Sequence, residues 1–426
     1  MMAFWTTLAP AWQSVCLAIV GLLGGALVNH AITTWCWFSR PSSPWARVSK
    51  WTFDPEHAAI ANSIPPRTWP MRLPVIGWWF MRREAVLYGR GFWVRPMLIE
   101  LSLAVIFPWM HHEYVTGQLL PVGINPAVLV GFRNWMGQLF FVHLVVVLLM
   151  TAATFIDFDE RTIPDVITIP GTLFALILST NTPWMFLPGL DAAGFAPVMF
   201  YSPTPPAPSW MGSHGFMMAS LVWTMYCFGI ADRRWIMRRG IRRAVDYFVL
   251  GLTRHWTFKW LVAMWLVGWA FIAVVFRDGG LPWLGLLTSL LGLGIGGGVI
   301  WAVRLIGRIA LRKEAMGFGD VTLMAMLGAA LGWQASIVAF FVSPLAACFI
   351  VLIRFAITRD ASTPYGPYLC AGTGITVWFW DSIYNGNVRP TLLLAGGELV
   401  WVSVAMGLAM LAMLWIWRLI REQVFG

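Results

Sequence analysis

Residues 137–160 read GQLFFVHLVVVLLMTAATFIDFDE, a mostly apolar run that ends abruptly in a group of acids. As an α-helix, the apolar part is long enough to cross the hydrocarbon core of a bilayer, which is about 30 Å thick. This places the carboxylate of Asp157 where the membrane meets water. A carboxylate at that depth is costly to desolvate, so it usually marks a functional position.

The composition extends this interpretation to the whole chain. The 426 residues are 59% hydrophobic and only 11% charged, and the mean hydropathy is +0.71. Soluble domains have about 25% charged residues. The sequence therefore predicts an all-α fold, a polytopic membrane helical bundle of about eleven spans. They lie near residues 12–33, 98–112, 137–156, 166–184, 213–231, 259–276, 282–303, 321–335, 338–355, 364–381 and 392–417.

The basic residues support this map. If the N-terminus is outside and the spans alternate, 26 of the 29 Lys and Arg residues fall on the cytoplasmic side. Such an excess is typical of cytoplasmic loops in membrane proteins. The net charge of +10 thus reflects membrane orientation, and we expect no nucleic acid as partner. The first span is interpreted as a retained anchor, and the C-terminus is expected in the cytoplasm.

Two segments between spans stand out. Residues 34–97 form the main polar region, and the eight prolines of residues 40–97 disfavour long helices there. The segment 183–212 is rich in Pro, Gly and Ser, which predicts an irregular external loop. The five cysteines form no C-x-x-C pair and mostly lie in apolar stretches, so they are interpreted as small hydrophobic residues and neither a metal site nor a disulfide framework is expected.

Two short motifs carry the chemistry. One runs from Asp157 to Asp165 as DFDERTIPD, and the other is GFGD, which ends at Asp320. On the predicted map both motifs lie at the cytoplasmic boundary, although the two aspartates are 163 positions apart. Two carboxylates that share one proton can deprotonate a water and protonate a leaving amine, which is what peptide hydrolysis requires. Asp157 and Asp320 are therefore predicted to form an aspartyl protease dyad.

The neighbouring residues have predicted supporting roles. Gly317 and Gly319 let the backbone approach a neighbouring helix or an extended substrate closely. Pro164 disfavours helix at the preceding residue, so the chain is expected to turn there. Asp165 stands where an N-cap of the next span is expected. Asp159 either tunes the dyad electrostatically or is a solvated loop charge.

Other interpretations of the acids stay open from the residues alone. Boundary carboxylates can simply face lipid headgroups and water. A proton-coupled transporter would use membrane carboxylates as relays, but it predicts acids near mid-span and an internal repeat. A third hypothesis is a catalytically idle scaffold for assembly.

Taken together, the motifs resemble those of the type IV prepilin leader peptidases, the bacterial GxGD aspartyl proteases. The first motif is similar to the family's D-x-D-x-x-x-(I/L)-P-D and the second to its G-x-G-D-(V/F)-K-L. Further matches are GLLGGALVN (21–29), RLPVIGW (72–78), RPMLIE (95–100), GAALGWQ (328–334) and PYGPY (364–368).

This resemblance implies a function. The family cleaves the short basic leader of pilins and pseudopilins at the cytoplasmic face of the bacterial inner membrane. By resemblance, Asp157 and Asp320 are the catalytic residues, and the partners are prepilin-like substrates with a single apolar helix, together with the lipid bilayer. The resemblance implies no cofactor for proteolysis. It gives no oligomeric state.

The sequence departs from the family pattern in ways that affect the expected zinc site, methylation and domain organisation. Many members carry two C-x-x-C pairs that resemble a zinc site, but residues 37–97 contain no cysteine, so zinc is not expected. Many members also methylate the new N-terminus with S-adenosylmethionine; Asn29 and Glu100 match the region tied to that activity, which leaves methylation open. The stretch between the Asp motifs is longer than usual by about two spans. The sequence is accordingly divided into 1–33, 34–97, 98–231, an inserted 232–303, and 304–426.

Overall fold

The structure, a computed structural model, describes residues 9–38, 42–45, 66–116, 126–191, 194–231, 256–311, 316–358 and 364–424. The described chain is an all-α bundle, as predicted, with one two-stranded sheet. Its α-helices are α1 (Pro10–Thr34), α2 (Ile76–Met81), α3 (Ala85–Tyr88), α4 (Val94–Thr116), α5 (Pro126–Glu160), α6 (Asp165–Asn181), α7 (Ser213–Ile230), α8 (Trp256–Asp278), α9 (Gly280–Leu311), α10 (Phe318–Leu331), α11 (Trp333–Thr358), α12 (Gly366–Trp378), α13 (Trp380–Ile383), α14 (Arg389–Ala395) and α15 (Glu398–Val424).

Each of the eleven predicted spans overlaps at least one of these helices, but the span 392–417 is divided between α14 and α15. Within the described ranges, six are long and apolar enough to cross a membrane: α1, α5, α8, α9, α11 and α15. Two shorter apolar helices are α6 and α10. The chain is therefore a multi-pass membrane protein, in which helices pair most backbone groups within each segment.

Glycines bring pairs of helices into direct backbone contact. A β-carbon added at Gly292 of α9 would lie 2.0 Å from the carbonyl oxygen of Gly328 in α10. A β-carbon at Gly21 of α1 would lie 2.4 Å from the carbonyl oxygen of Leu103 in α4. Lipid gives membrane helices no hydrophobic drive to associate, so their association depends on close packing. Small residues at the interface allow the two backbones to come into contact. Residues 320–331 of α10 are all buried as a result.

The segment 183–212 differs from the predicted irregular loop. Strands β1 (Pro188–Asp191) and β2 (Gly194–Pro197) form an antiparallel hairpin, between the 3₁₀ turns Pro183–Met185 and Pro208–Met211. Indole N–H groups of the bundle donate to its backbone: Trp333 to the Phe200 carbonyl at 2.8 Å and Trp380 to the Pro188 carbonyl at 2.7 Å. The proline- and glycine-rich composition does not report that side chains of the bundle hold this segment in place.

The polar region after α1 follows the prediction in its described part. Between residues 66 and 91 it contains only short helices, namely α2, α3 and the 3₁₀ turns Trp69–Arg72 and Arg82–Glu84. The buried guanidinium of Arg67 pairs with Glu84 at 2.6 Å. The five-segment division of the chain stays a prediction.

Candidate active site

Asp157 lies in the last turn of α5 and is 3% exposed. Its Oδ2 accepts a hydrogen bond of 3.1 Å from the backbone N–H of Gly366, the first residue of α12. Helix N-termini carry unpaired N–H groups and a partial positive charge, so they favour a carboxylate at this place.

Gly366 allows this contact because it has no side chain. A β-carbon there would lie 2.5 Å from Oδ2 of Asp157 and 2.8 Å from Cδ1 of Ile163. Neither neighbour is at the end of a long flexible side chain, so any larger residue would push Asp157 away from the helix terminus. Gly366 belongs to the motif PYGPY, but no role for it was predicted. The signal that would find it is a glycine between prolines at the start of a span.

Asp320 stands in the first turn of α10 and is 7% exposed. Its Oδ2 accepts a hydrogen bond of 3.2 Å from the N–H of Gly317, so the side chain caps its own helix. The charge of Asp320 acts on the carboxyl group of Asp157, and the charge of Arg304 acts on Asp320. The fold thus brings together the two aspartates, which the sequence separates by 163 positions.

The loop between α5 and α6 packs against the start of α10, beside the two aspartates. The chain leaves the helix at Arg161, whose φ is 55°, and Pro164 stands before α6, so the predicted turn is confirmed. A β-carbon at Gly319 would lie 2.9 Å from Cβ and 3.0 Å from N of Ile163. Gly319 therefore makes the predicted close approach within the chain. Gly317 does not, because its β-carbon would meet Oδ2 of Asp320 at an ordinary 3.5 Å.

The predicted N-cap role of Asp165 is wrong. Pro164 occupies the N-cap position of α6, and Asp165 is the first helical residue without a side-chain cap bond. Proline fixes its own φ near the value observed, −76°, and with its ψ of 140° it takes the N-cap position, so the helix begins one residue earlier than expected. Asp165 still lies in the first turn, where the helix dipole favours a negative charge.

Asp159 is an exposed residue at the end of α5, where it forms an ion pair. Its two carboxylate oxygens accept hydrogen bonds of 2.7 and 2.8 Å from Arg95, near the start of α4. The adjacent Glu160 accepts the backbone N–H groups of Trp37 and Phe38, at 2.6 and 2.9 Å, just after α1. The end of α5 is therefore tied to α1 and α4 immediately beyond Asp157.

Asn29 and Glu100 meet in a second buried polar site. The Asn29 amide donates to Oε1 of Glu100 at 2.9 Å, and the Trp78 indole donates to the same oxygen at 2.8 Å. The backbone N–H of Val75 donates to Oε2 at 2.5 Å. Three segments that the sequence singled out, 21–29, 72–78 and 95–100, thus converge on one carboxylate, which links α1, α2 and α4.

Two more residues around the dyad were not predicted. Tyr365, which precedes α12, interacts electrostatically with Asp320. Arg304, in α9, lies with its guanidinium carbon 5.6 Å from the ring centre of Phe318. Tyr365 lies in the motif PYGPY, which was given no role, whereas no local pattern marks Arg304, since α9 reaches the site only by packing along α10. Among the described residues, no three His, Cys, Asp or Glu side chains are grouped so that they could hold a metal ion.

Comparison with known proteins gives one family. Residues 257–352, which include Asp320 but not Asp157, match the sequence model of the type IV leader peptidase family. No solved structure gives a significant match.

Several curated relatives share one name with one another. A protein of Aeromonas hydrophila named prepilin leader peptidase/N-methyltransferase is 32% identical over 148 residues, 29% of this chain and 51% of the relative. Proteins of the same name from Pseudomonas putida and Legionella pneumophila are each 30% identical, over 110 and 166 residues. These matches cover 25% and 32% of this chain and 38% and 58% of the relatives. The chain thus spans between about two fifths and three fifths of the length of these relatives.

Proposed function

We propose, on the premise that the chain belongs to the type IV leader peptidase family, that it is a membrane aspartic endopeptidase which cleaves the leader of prepilin-like proteins. The observation that carries the proposal is the meeting of Asp157 and Asp320. They come from distant motifs, both are buried, and the charge of one acts on the other.

The proposed chemistry uses the two carboxylates as one unit. Like charges in one site cannot both ionise easily, so the pair holds a shared proton. The ionised carboxylate deprotonates a water that attacks the scissile carbonyl. The protonated carboxylate then gives its proton to the leaving amine, and the roles exchange in the next cycle. The N–H groups of Gly366 and Gly317 hold one oxygen of each carboxylate, which orients the other oxygen toward the reaction.

The substrate and its orientation follow from where the dyad lies. Asp157 ends α5 while Asp320 and Gly366 begin α10 and α12, so the site lies at the end of the bundle that the basic residues assign to the cytoplasm. A prepilin-like substrate with a single apolar helix would place its leader at that boundary and its helix in the bilayer of the bacterial inner membrane.

The proposal is limited to proteolysis, although the names of the relatives also include N-methyltransferase. We derive no methyl-transfer step through S-adenosylmethionine, because Asn29 and Glu100 are bonded to each other and to Trp78. Zinc does not fit the polar region either, since residues 37–97 contain no cysteine.

The experiment is co-expression of the full chain with a pilin-like protein from the same genome, followed by mass measurement of the pilin N-terminus. Asp157→Asn and Asp320→Asn should each reduce cleavage by about 10²–10⁴-fold or more, because acid–base catalysis needs both groups. Asp278→Asn, at the end of α8 on the opposite side of the bundle, is the matched control and should cleave normally.

The outcomes separate the hypotheses. Parental cleavage by either dyad variant would disprove the assignment. Absence of cleavage by the parental chain, together with unchanged pilus assembly in the dyad variants, would instead favour the idle scaffold. The same mass measurement reports whether the new N-terminus carries a methyl group.

A further inference from the structure

The described part of the polar region presents apolar side chains outward. Trp69 is 72% exposed, Ile76 54%, Phe80 49%, Trp79 48% and Leu73 40%. We call these five residues the outer face. Their neighbours Met71, Trp78 and Met81 point the opposite way and form a small core with Phe92, Trp93 and Met97. Monomeric soluble surfaces rarely leave such contiguous apolar patches uncovered.

Hydrogen bonds fix the depth of the outer face. The Val75 N–H and the Trp78 indole both donate to Glu100, as described above. Arg95 marks the rim of the bundle through its ion pair with Asp159. Glu100 is five residues further along α4, about 7.5 Å deeper at 1.5 Å per residue. Helix α2 is therefore held beside the first turns of a predicted membrane span, at the level of the lipid headgroups.

The charges beside the outer face suit anionic headgroups. Arg72 and Arg82 are exposed at the two sides of α2. The guanidinium carbon of Arg82 lies 4.5 Å from the centre of the Trp79 ring, which holds the charge against the aromatic surface. Tryptophan is enriched at the membrane–water interface, and arginine binds phosphate there.

We propose that the outer face is a lipid-binding surface that inserts between anionic headgroups of the leaflet on the dyad side. Ile76, Trp79 and Phe80 reach the acyl boundary, and Arg72 and Arg82 bind lipid phosphates. This surface anchors the polar region beside α4. The proposal does not depend on the proteolytic function.

The first test measures depth. The full chain is reconstituted in nanodiscs of phosphatidylcholine and phosphatidylglycerol, with one spin label at Phe80→Cys in a background without other cysteines. Labels at Val105→Cys, an exposed position of α4, and at Thr162→Cys, in the loop after α5, calibrate lipid and water. The label at position 80 should collide with oxygen and be shielded from a water-soluble nickel complex. If nickel reaches position 80 as freely as position 162, the face is open to an aqueous partner and the proposal is wrong.

The second test measures the arginines. Native mass spectrometry of the purified chain gives the binding of added phosphatidylglycerol and phosphatidylcholine. Arg72→Gln and Arg82→Gln should each weaken phosphatidylglycerol binding by about fivefold. Arg277→Gln, at the other end of the bundle, is the control and should leave binding unchanged. Equal affinity of parental and Arg72→Gln/Arg82→Gln chains for phosphatidylglycerol would overturn the headgroup assignment.

Discussion

Two buried carboxylate sites in this molecule differ in how completely they are bonded. Glu100 accepts three hydrogen bonds, from Asn29, Trp78 and the backbone of Val75. Within the described part of the chain, Asp157 and Asp320 each accept one, from a backbone N–H, and the charge of Asp320 acts on Asp157. A carboxylate surrounded by donors holds a structure together. In a pair of carboxylates with few donors, some oxygen atoms stay available to a reactant, and the two groups can share one proton.

The packing around the two sites is otherwise alike. A β-carbon at Gly25 would lie 2.7 Å from Cα of Glu100, and one at Gly319 would lie 2.9 Å from Cβ of Ile163 beside the dyad. Both sites therefore need glycine contacts between elements. The number of donors, rather than the closeness of the helices, separates the Glu100 site from the candidate catalytic one.

The largest effect is expected from Glu100→Ala. It leaves three donors unpaired, of which those of Asn29 and Trp78 are buried, and this should cost about 3 kcal/mol or more of stability, since each buried unpaired donor costs about 1–3 kcal/mol. The thermal unfolding midpoint of the purified chain would fall, while the folded fraction should cleave at the parental rate. Glu113→Gln, on the same helix, is the control and should unfold normally. If the Glu100→Ala chain is as stable as the parent but no longer cleaves, Glu100 serves cleavage and does not stabilise the fold.

Gly366→Ala should lower the cleavage rate and leave stability nearly unchanged, the reverse of the effect of Glu100→Ala. The added methyl group would push Asp157 from its place, and a displacement of about 1 Å can reduce a rate about 10²-fold. Cleavage rate should fall while the unfolding midpoint changes little. Gly374→Ala in the same helix meets nothing within 4 Å and should behave as the parent. Equal cleavage by both variants would show that the contact with Asp157 is unimportant.

Gly292→Ala tests the support beneath Asp320. Its methyl group would collide with the carbonyl of Gly328, so α9 and α10 must separate, at a cost of about 1–3 kcal/mol. Both stability and cleavage should fall. The comparison variant is Gly298→Ala, whose β-carbon meets nothing within 4 Å. If the two alanine variants are equally stable, close helix packing does not hold the Asp320 helix.

The smallest effect is expected from the ion pair at the rim. The side chains of Arg95 and Asp159 are 44% and 21% exposed, and exposed pairs contribute about 1 kcal/mol or less. Arg95→Asp and Asp159→Arg should each lower the cleavage rate a few-fold. The double exchange should restore most of it, because the pair is re-formed with opposite polarity. Failure of the double variant to recover would show that the pair does not position the end of α5.

Much of this arrangement could be predicted from local patterns. Apolar runs gave the helices, and motif acids at their ends gave the candidate dyad. The start of α6 was missed by one residue, because Pro164 takes the cap position that Asp165 was expected to fill. The ordered structure of segment 183–212 was missed because Trp333 and Trp380, far along the chain, donate to its backbone at Phe200 and Pro188.

The sequence by itself determined the class of the protein, since hydropathy and the distribution of basic residues act locally on how each segment meets the bilayer. It also marked Asp157 and Asp320, because acids at span boundaries stand out against apolar surroundings. Only the tertiary structure decided which acids meet and which are bonded. Gly366 faces Asp157, and Asn29 faces Glu100, through contacts between distant helices. Those contacts depend on the packing of backbones against glycines, and no single segment of the chain contains that information.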